Sequence, residues 1–128
     1  MQNSAAQIPL YGKIAAGTPI EAIANETEKV SVPFEMVNRG QFYALTIEGD
    51  SMIEAGILDA DTVIIKKADN GEIVVALVDE SEATLKILKR ENNEVVLIPC
   101  NSAYQPRRLP AQRVRVQGVL AGLMRSYH

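Results

Sequence analysis

The chain has 128 residues, the length of about one folded domain, and its 47% hydrophobic and 23% charged residues are ordinary for a soluble globular protein. No apolar run approaches the ~20 residues that a transmembrane helix requires, and the first residues carry no recognisable export signal. The net charge of −3 differs from the strongly basic surface of a nucleic-acid-binding domain. Composition and charge therefore exclude a disordered tail, a coiled coil and a membrane-spanning protein.

Two scarce residue types restrict the chemistry. The single cysteine, Cys100, cannot form an internal disulfide, which indicates a reducing compartment, and we expect a cytoplasmic protein. The single histidine, His128, is the last residue, which argues against a Ser-His-Asp mechanism. One histidine and one cysteine are too few ligands for zinc, so we expect neither a metal nor a cofactor. Any catalytic base must then be a carboxylate, a lysine or a tyrosine.

Alternating or β-branched runs bounded by turn residues predict a mostly β fold. The predicted strands are at about 41–48, 62–67, 72–78, 83–89, 94–99 and 113–124. The Asp-Asn-Gly segment at 69–71 predicts a type I′ hairpin between the second and third of these strands. The Glu-Asn-Asn-Glu segment at 91–94 predicts a turn between the fourth and fifth. Helical signals are weak, and residues 51–57 predict one turn at most.

The last predicted strand changes character along its length. Its first half alternates between apolar and polar residues, whereas its second half is apolar on both faces, with glycines that permit close approach of another backbone. Such a strand is buried on both faces or pairs with a second chain, and we expect a homodimer built on residues 114–124. A local excess of arginine near this strand is interpreted as a solvated strand face. These arginines are Arg107, Arg108, Arg113, Arg115 and Arg125.

A candidate nucleophile, Ser51, lies on the turn Glu-Gly-Asp-Ser-Met at 48–52, directly after a predicted strand. A serine on such a turn is exposed, and the backbone N–H groups of Asp50 and Ser51 are free to bind an oxyanion. Gly-Asp-Ser is also a common turn without any chemistry. The motif alone therefore leaves both readings open.

A candidate general base, Lys86, lies in the middle of the apolar strand segment Thr-Leu-Lys-Ile-Leu at 84–88. Burial there would lower the pKa of the amine, and a neutral amine near a serine hydroxyl is a competent base. The alternative is a surface lysine whose stem follows the apolar strand while its ammonium group stays in water.

The segment Ile-Ala-Ala-Gly-Thr-Pro at 14–19 has the small residues that a narrow protease specificity site accepts. Gly17 would let the backbone bend into such a site. The segment is equally consistent with a flexible turn.

The order and spacing of three motifs resemble those of the C-terminal domains of the LexA repressor family. The motifs are the Ala-Gly pair, a Ser-Met pair about 35 residues later, and a strand lysine about 35 residues beyond it. The resemblance covers nearly the whole chain. It implies a mostly β, signal-peptidase-like fold of several coiled antiparallel sheets with few helical turns. It also implies a serine endopeptidase that cleaves its own chain with a Ser-Lys dyad.

The resemblance assigns roles to individual residues of this chain. Ser51 corresponds to the nucleophile, Lys86 to the general base, and Ala16-Gly17 to the scissile bond, while the backbone of Asp50 and Ser51 would bind the oxyanion. One departure is visible, because the family commonly has Asp-Gly-Asp where this chain has Asp-Ala-Asp at 59–61. The departure puts a turn conformation in doubt but no catalytic atom.

The resemblance further implies a regulatory context. In the family, RecA filaments on single-stranded DNA stimulate cleavage, which inactivates a repressor of the SOS response to DNA damage. Operator DNA is bound only through an N-terminal domain that we expect to be absent here. We therefore expect residues 1–7 to be an interdomain linker remnant and residues 8–128 to form the protease and dimerisation domain, with no membrane partner.

Three alternative functions remain open on the sequence. A UmuD-like polymerase accessory protein would share the dyad, although its cleavage sites generally read Cys-Gly. A phage repressor would fit the Ala-Gly bond equally well. A non-enzymatic β-rich dimerisation module would leave Ser51 and Lys86 incidental.

Overall fold

The computed structural model describes residues 5–14, 18–19 and 28–127. The expected cleavage site, Ala16-Gly17, and His128 lie outside the described residues. The described part is mostly β, as predicted, with ten strands and three short 3₁₀ helices. Within these ranges, no helix has the length and apolar character needed to cross a bilayer.

The strands, in chain order, are β1 (Ala5–Ile14), β2 (Thr18–Pro19), β3 (Glu28–Pro33), β4 (Phe42–Ile47), β5 (Thr62–Lys66), β6 (Ile73–Val78), β7 (Glu82–Glu91), β8 (Glu94–Ile98), β9 (Arg107–Pro110) and β10 (Val114–Met124). The 3₁₀ helices are η1 (Phe34–Met36), η2 (Ile53–Ala55) and η3 (Ala111–Arg113). All six predicted strands are confirmed to within a few residues at each end. The predicted helical turn at 51–57 is confirmed as η2.

All ten strands are connected in one mixed sheet, in the order β3-β1-β4-β5-β10-β6-β7-β8-β9, with β2 added beside β7. β1 runs parallel to β4, and the other pairs are antiparallel. The expected mostly β class is confirmed. The expected arrangement as several antiparallel sheets is corrected to this single mixed sheet, because β1 joins β4 in a parallel pair.

The predicted hairpin at 69–71 is wrong, whereas the predicted turn at 91–94 is confirmed. β5 and β6 are not neighbours, because β10 lies between them and pairs with both. A turn motif reports only local geometry and cannot reveal the insertion of a strand that is distant in sequence. At the second turn, Glu91 pairs directly with Glu94, and Asn92 takes a φ of +57°.

Gly118 allows β10 to lie between β5 and β6. Its own position is buried, and a Cβ placed on it would lie 2.8 Å from the carbonyl oxygen of Lys66 and against the side chain of Ile65. The predicted close approach of another backbone to this strand is therefore confirmed, and that backbone is β5. β10 pairs with β6 through residues 114–119 and with β5 through residues 119–124, so each edge of this strand is paired within the described chain over about half its length.

Strand β1 begins within residues 1–7, the segment that was expected to be a linker. β1 starts at Ala5 and pairs with β3 from Ala5↔Pro33 onward, so residues 5–7 belong to a strand. Neither β1 nor β3 was predicted.

The central strands are buried on both faces, which gives the sheet a rigid middle. In β6, Val75 packs into one core cluster with Leu45 and Leu85, while Val74 and Ala76 pack into a second cluster on the opposite face. A third cluster beneath β1 and β3 completes the core.

The arginine excess is neutralised by carboxylates, in agreement with its interpretation as a solvated face. Arg107, Arg108, Arg113 and Arg115 each form an exposed ion pair with an acidic side chain. Arg125 makes a bidentate pair with Asp61, which is only 1% exposed. Hydrogen bonds from Arg125 hold the pKa of the Asp61 carboxyl below its usual value, so this pair holds the end of β10 against the start of β5 near neutral pH.

Ala60 occupies the position where the family commonly has glycine, and it takes a φ of +73°. A left-handed conformation costs a residue with a Cβ about 1–2 kcal/mol. Glycine avoids this cost, but part of the gain is cancelled because glycine loses more conformational freedom on folding. We expect Ala60→Gly to increase the free energy of unfolding by about 0.5–1 kcal/mol in urea denaturation. Ala55→Gly, at an exposed alanine of η2 without positive φ, is the matched control and should be neutral or destabilising. A loss of stability in Ala60→Gly would contradict this explanation.

Candidate active site

The turn that carries Ser51 leads from β4 toward η2 and is fixed by glycine geometry and by anchoring contacts. Gly49 takes a φ of +98°, a value that favours glycine, and its N–H donates to Asp59 Oδ1 at 2.8 Å. On the other side of the serine, Met52 is 3% exposed and packs into the main core cluster. Ser51 is therefore half-buried on a turn held at both ends.

The structure brings the two predicted catalytic side chains together. Lys86 lies on β7 opposite Val74, and its Nζ donates to Ser51 Oγ at 3.2 Å and to Thr84 Oγ1 at 2.6 Å. Thr84 precedes the lysine by two residues and therefore shares its face of the strand. The threonine hydroxyl holds the amine beside the serine.

Burial lowers the pKa of the Lys86 amine, as expected from its position in an apolar strand. The charge of Glu82 and the Cys100 sulfur oppose this shift, but desolvation is the larger effect. A lowered pKa increases the neutral fraction of the amine at any given pH below its unperturbed value. The amine is half-buried rather than extended into water, which is the environment a lysine base requires.

A cavity of about 450 Å³ opens over the serine and the lysine. Its lining includes polar residues of the nucleophile turn and of β7, together with the more apolar side chains of Leu97, Pro99 and Tyr104. Glu82 and Arg107 also line the cavity, and their side chains form an ion pair at 3.4 Å.

The backbone around Ser51 has the donors that an oxyanion site needs. The backbone N–H groups of Asp50 and Ser51 donate no hydrogen bond to any described residue. The carbonyl groups are engaged instead: Ser51 O accepts from Cys100 N at 2.8 Å, and Asp50 O accepts from Asn101 Nδ2 at 2.8 Å.

The loop at 100–104 and Thr84 contact the predicted catalytic residues but were not predicted from the sequence. The side chains of Asn101 and Tyr104 reach the nucleophile turn across about 50 residues of sequence, and no local pattern signals such a contact. Thr84 was detectable, because a hydroxyl two residues before a strand lysine shares its face.

The expected bond at Ala16-Gly17 is flanked by described residues on both sides. Ile14 pairs with Ile47 at the end of β4, and its carbonyl accepts from Glu48 N at 3.1 Å. Thr18 pairs with Ala83 on β7. The two flanks thus lie beside the strands that lead to Ser51 and Lys86.

The Ser51 hydroxyl is hydrogen-bonded to a desolvated lysine amine under an open cavity, beside two backbone N–H groups that donate to no described residue. Such an arrangement can support nucleophilic attack on a carbonyl group. Within the described ranges, no group of three or more His, Cys, Asp or Glu side chains could hold a metal ion. The fold and site define a mostly β hydrolase-like domain. Residues 9–121 match the family described as Peptidase S24-like, and the chain belongs to this family.

Three curated relatives of the chain are LexA repressors. The chain is 57% identical over 123 residues to a LexA repressor of Paramagnetospirillum magneticum, covering 94% of this chain and 52% of that protein. It is 55% identical over 127 residues to a LexA repressor of Granulibacter bethesdensis, covering 97% and 52%. For a LexA repressor of Gluconacetobacter diazotrophicus the identity is 52% over 129 residues, covering 98% and 51%.

The chain therefore spans about half the length of the curated relatives it matches. The expected resemblance to the C-terminal domain of LexA repressors is confirmed. The expected enzyme class, a serine peptidase, is confirmed at the level of the family.

Proposed function

We propose that this chain is the self-cleaving domain of a LexA-type repressor and that Ser51 and Lys86 cut its own Ala16-Gly17 bond. The observation that carries the proposal is the 3.2 Å contact between Lys86 Nζ and Ser51 Oγ beneath an open cavity. Family membership and the LexA relatives support the same function.

In the proposed reaction, neutral Lys86 accepts the proton of the Ser51 hydroxyl while Oγ attacks the Ala16 carbonyl carbon. The N–H groups of Asp50 and Ser51 stabilise the oxyanion of the tetrahedral intermediate. The protonated lysine then gives its proton to the amine of Gly17 as the peptide bond breaks. Water hydrolyses the acyl-enzyme, with Lys86 again acting as the base.

Covalent connectivity supports the choice of bond. A peptide chain spans at most about 3.6 Å per residue, so Ala16 stays within about 7 Å of the Cα of Ile14. Gly17 is bonded directly to Thr18, which pairs with β7 three residues from Lys86. Because the bond is tethered beside the catalytic groups, attack within one chain has a large entropic advantage over attack between chains.

The biological role follows from what cleavage separates. In the proposed whole protein, operator DNA is bound by an N-terminal domain, and this domain links two copies as a homodimer. Dimerisation raises the effective concentration of the second DNA-binding domain at a two-fold operator, and cutting the linker removes that gain. RecA filaments on single-stranded DNA would trigger the cut in the cytoplasm, where the repressor shares a compartment with DNA, and so induce the SOS response.

The alternatives are less well supported. A UmuD-like protein or a phage repressor would share the dyad, but the curated relatives above are LexA repressors. A non-enzymatic module gives no reason for the half-buried amine of Lys86 to lie against Ser51 and Thr84.

We expect Ser51→Ala and Lys86→Ala each to reduce self-cleavage by at least about 1,000-fold while the domain stays folded, because the two groups act as a unit. The reaction is followed by intact mass, and folding by circular dichroism. Lys89→Ala, at an exposed lysine of the same strand, is the matched control and should cleave normally. Wild-type rates in either dyad variant would refute the assignment.

The pH dependence follows from the charge of the base. A protonated amine cannot accept the serine proton, so the rate should rise about tenfold per pH unit and level off above the pKa of Lys86. That pKa should lie below ~10.4, because burial lowers it. The products should be residues 1–16 and 17–128, and the half-time should not change on tenfold dilution. A rate that is flat from pH 7 to 10 would exclude lysine as the base.

RecA filaments provide a separate test of the proposed regulation. They should bring the same cut to neutral pH if they stabilise the conformer in which Lys86 is buried and neutral. Cleavage at another bond would contradict the proposal.

We further propose that the homodimer forms through β10, whose residues 120–124 pair with β5 on one edge and with no described strand on the other. Ala121 is exposed on this strand between half-buried apolar neighbours. Sedimentation at roughly 50 μM, a concentration suited to micromolar affinities, should give a dimer mass, and Ala121→Arg should give a monomer. Ala55→Arg, at an exposed alanine outside β10, is the control. A monomeric wild-type protein would contradict the proposed interface.

A further inference from the structure

The loop at 100–104, called here the clasp, is tied to the nucleophile turn and to η2 by five hydrogen bonds among the described residues. Two are between backbone groups: Cys100 N donates to Ser51 O at 2.8 Å, and Glu54 N donates to Cys100 O at 2.7 Å. In a third, Ser102 N donates to the Glu54 carboxylate at 2.9 Å. The other two come from side chains of the clasp.

Both of these side chains bind Asp50, the residue directly before the nucleophile. Asn101 Nδ2 donates to the Asp50 carbonyl at 2.8 Å, and the Tyr104 hydroxyl donates to Asp50 Oδ1 at 2.5 Å. Asn101 is itself fixed, because its Oδ1 accepts from Ala103 N at 2.9 Å and its carbonyl accepts from Tyr104 N at 3.0 Å. The amide of Asn101 therefore joins the two loops in a single orientation.

Because the peptide group is planar, the contact between Asn101 and the Asp50 carbonyl also fixes the direction of the Ser51 N–H. The Asp50 carbonyl and the Ser51 N–H belong to one peptide group, which is trans, so the two point in opposite directions. Holding the carbonyl against Asn101 therefore directs the Ser51 N–H away from the clasp. The Ile53 N–H also reaches the Asp50 carbonyl, at 3.2 Å, but it belongs to the same turn and moves with it.

We propose that Asn101 is a positioning residue for the oxyanion site, acting through the Asp50–Ser51 peptide group, with Tyr104 fixing the Asp50 side chain from the same loop. This inference rests on the proposed function, because the oxyanion forms only if Ser51 attacks a carbonyl. It adds residues that touch neither the serine hydroxyl nor the lysine amine. Catalysis then depends on a loop that reaches the turn from beyond β8.

The test compares cleavage rates of Asn101→Ala, Tyr104→Phe and the wild-type protein across pH. Loss of a complete oxyanion donor costs about 100- to 1,000-fold, so misalignment of one should slow the plateau rate by about 10- to 100-fold in Asn101→Ala. Tyr104→Phe keeps the ring and should show a smaller loss. The apparent pKa of the pH profile should stay at the wild-type value, because Lys86 is not contacted by either side chain.

Controls distinguish a positioning role of Asn101 from a purely structural role. They also distinguish failure of this proposal from failure of the proposed function. Asn70→Ala makes the same chemical change at an exposed loop position outside the clasp and should cleave normally. Thermal unfolding checks that each variant is folded at the assay temperature. If Asn101→Ala does not fold, Tyr104→Phe, at a partly exposed ring, decides the question.

A second readout reports on the oxyanion site directly. A peptide boronic acid ending in an alanine analogue should add reversibly to Ser51: Oγ bonds to boron, the serine proton passes to Lys86, and the boron becomes a four-coordinate anion. One boronate oxygen then occupies the oxyanion site, so Asn101→Ala should weaken this adduct by about the same factor as it slows cleavage.

A wild-type plateau rate and wild-type boronate affinity in the variants would overturn the proposal, as would a rate loss accompanied by a shifted apparent pKa. Absence of cleavage in the wild-type protein itself would instead refute the proposed function.

Discussion

The candidate site depends on the insertion of β10 between β5 and β6. Ser51 lies on the connection between β4 and β5, whereas Lys86 lies on β7, and β10 is the strand that joins the two halves of the sheet. The insertion is possible because Gly118 lets the strand approach β5 closely, and the Arg125–Asp61 pair holds the end of β10 in register. A contact of 3.2 Å between serine and lysine is thus set by pairing between the end of the chain and its middle.

The burial of Lys86 is a second determinant of the site, and its electrostatic cost lowers the stability of the folded state. A lysine in an apolar strand loses hydration, which favours its neutral form and makes the folded state less favourable at pH values where the unfolded chain would carry the charge. The hydroxyls of Thr84 and Ser51 replace part of the lost hydrogen bonding. The rigid core on both faces of β6 supplies the packing that makes this local cost tolerable. The arrangement fits a base that must be neutral to act.

The parts of the fold that could be predicted from the sequence are those with a local pattern. The alternating or β-branched runs of β4 to β8 and β10 mark strands with buried faces, whereas β1 and β3 have irregular burial and carry no comparable signal. The turn at 69–71 was misread because strand order is a long-range property. Ser51 and Lys86 were identified from motif and spacing, but Asn101 and Tyr104 could not be, since their contacts with Asp50 exist only after β8 and the nucleophile turn have come together.

The flanks of the expected cleavage site connect the same two halves of the sheet that β10 connects. Ile14 is bound to the end of β4, on the nucleophile side, and Thr18 is paired with β7, on the base side. Only three residues separate Ile14 from Thr18, so covalent connectivity keeps the proposed scissile bond within a short reach of both flanks. In the proposed self-cleavage the substrate concentration is constant, so the rate would be controlled by the orientation of the bond and by the protonation of Lys86. Regulation of the proposed reaction is then a matter of geometry and charge rather than of substrate supply.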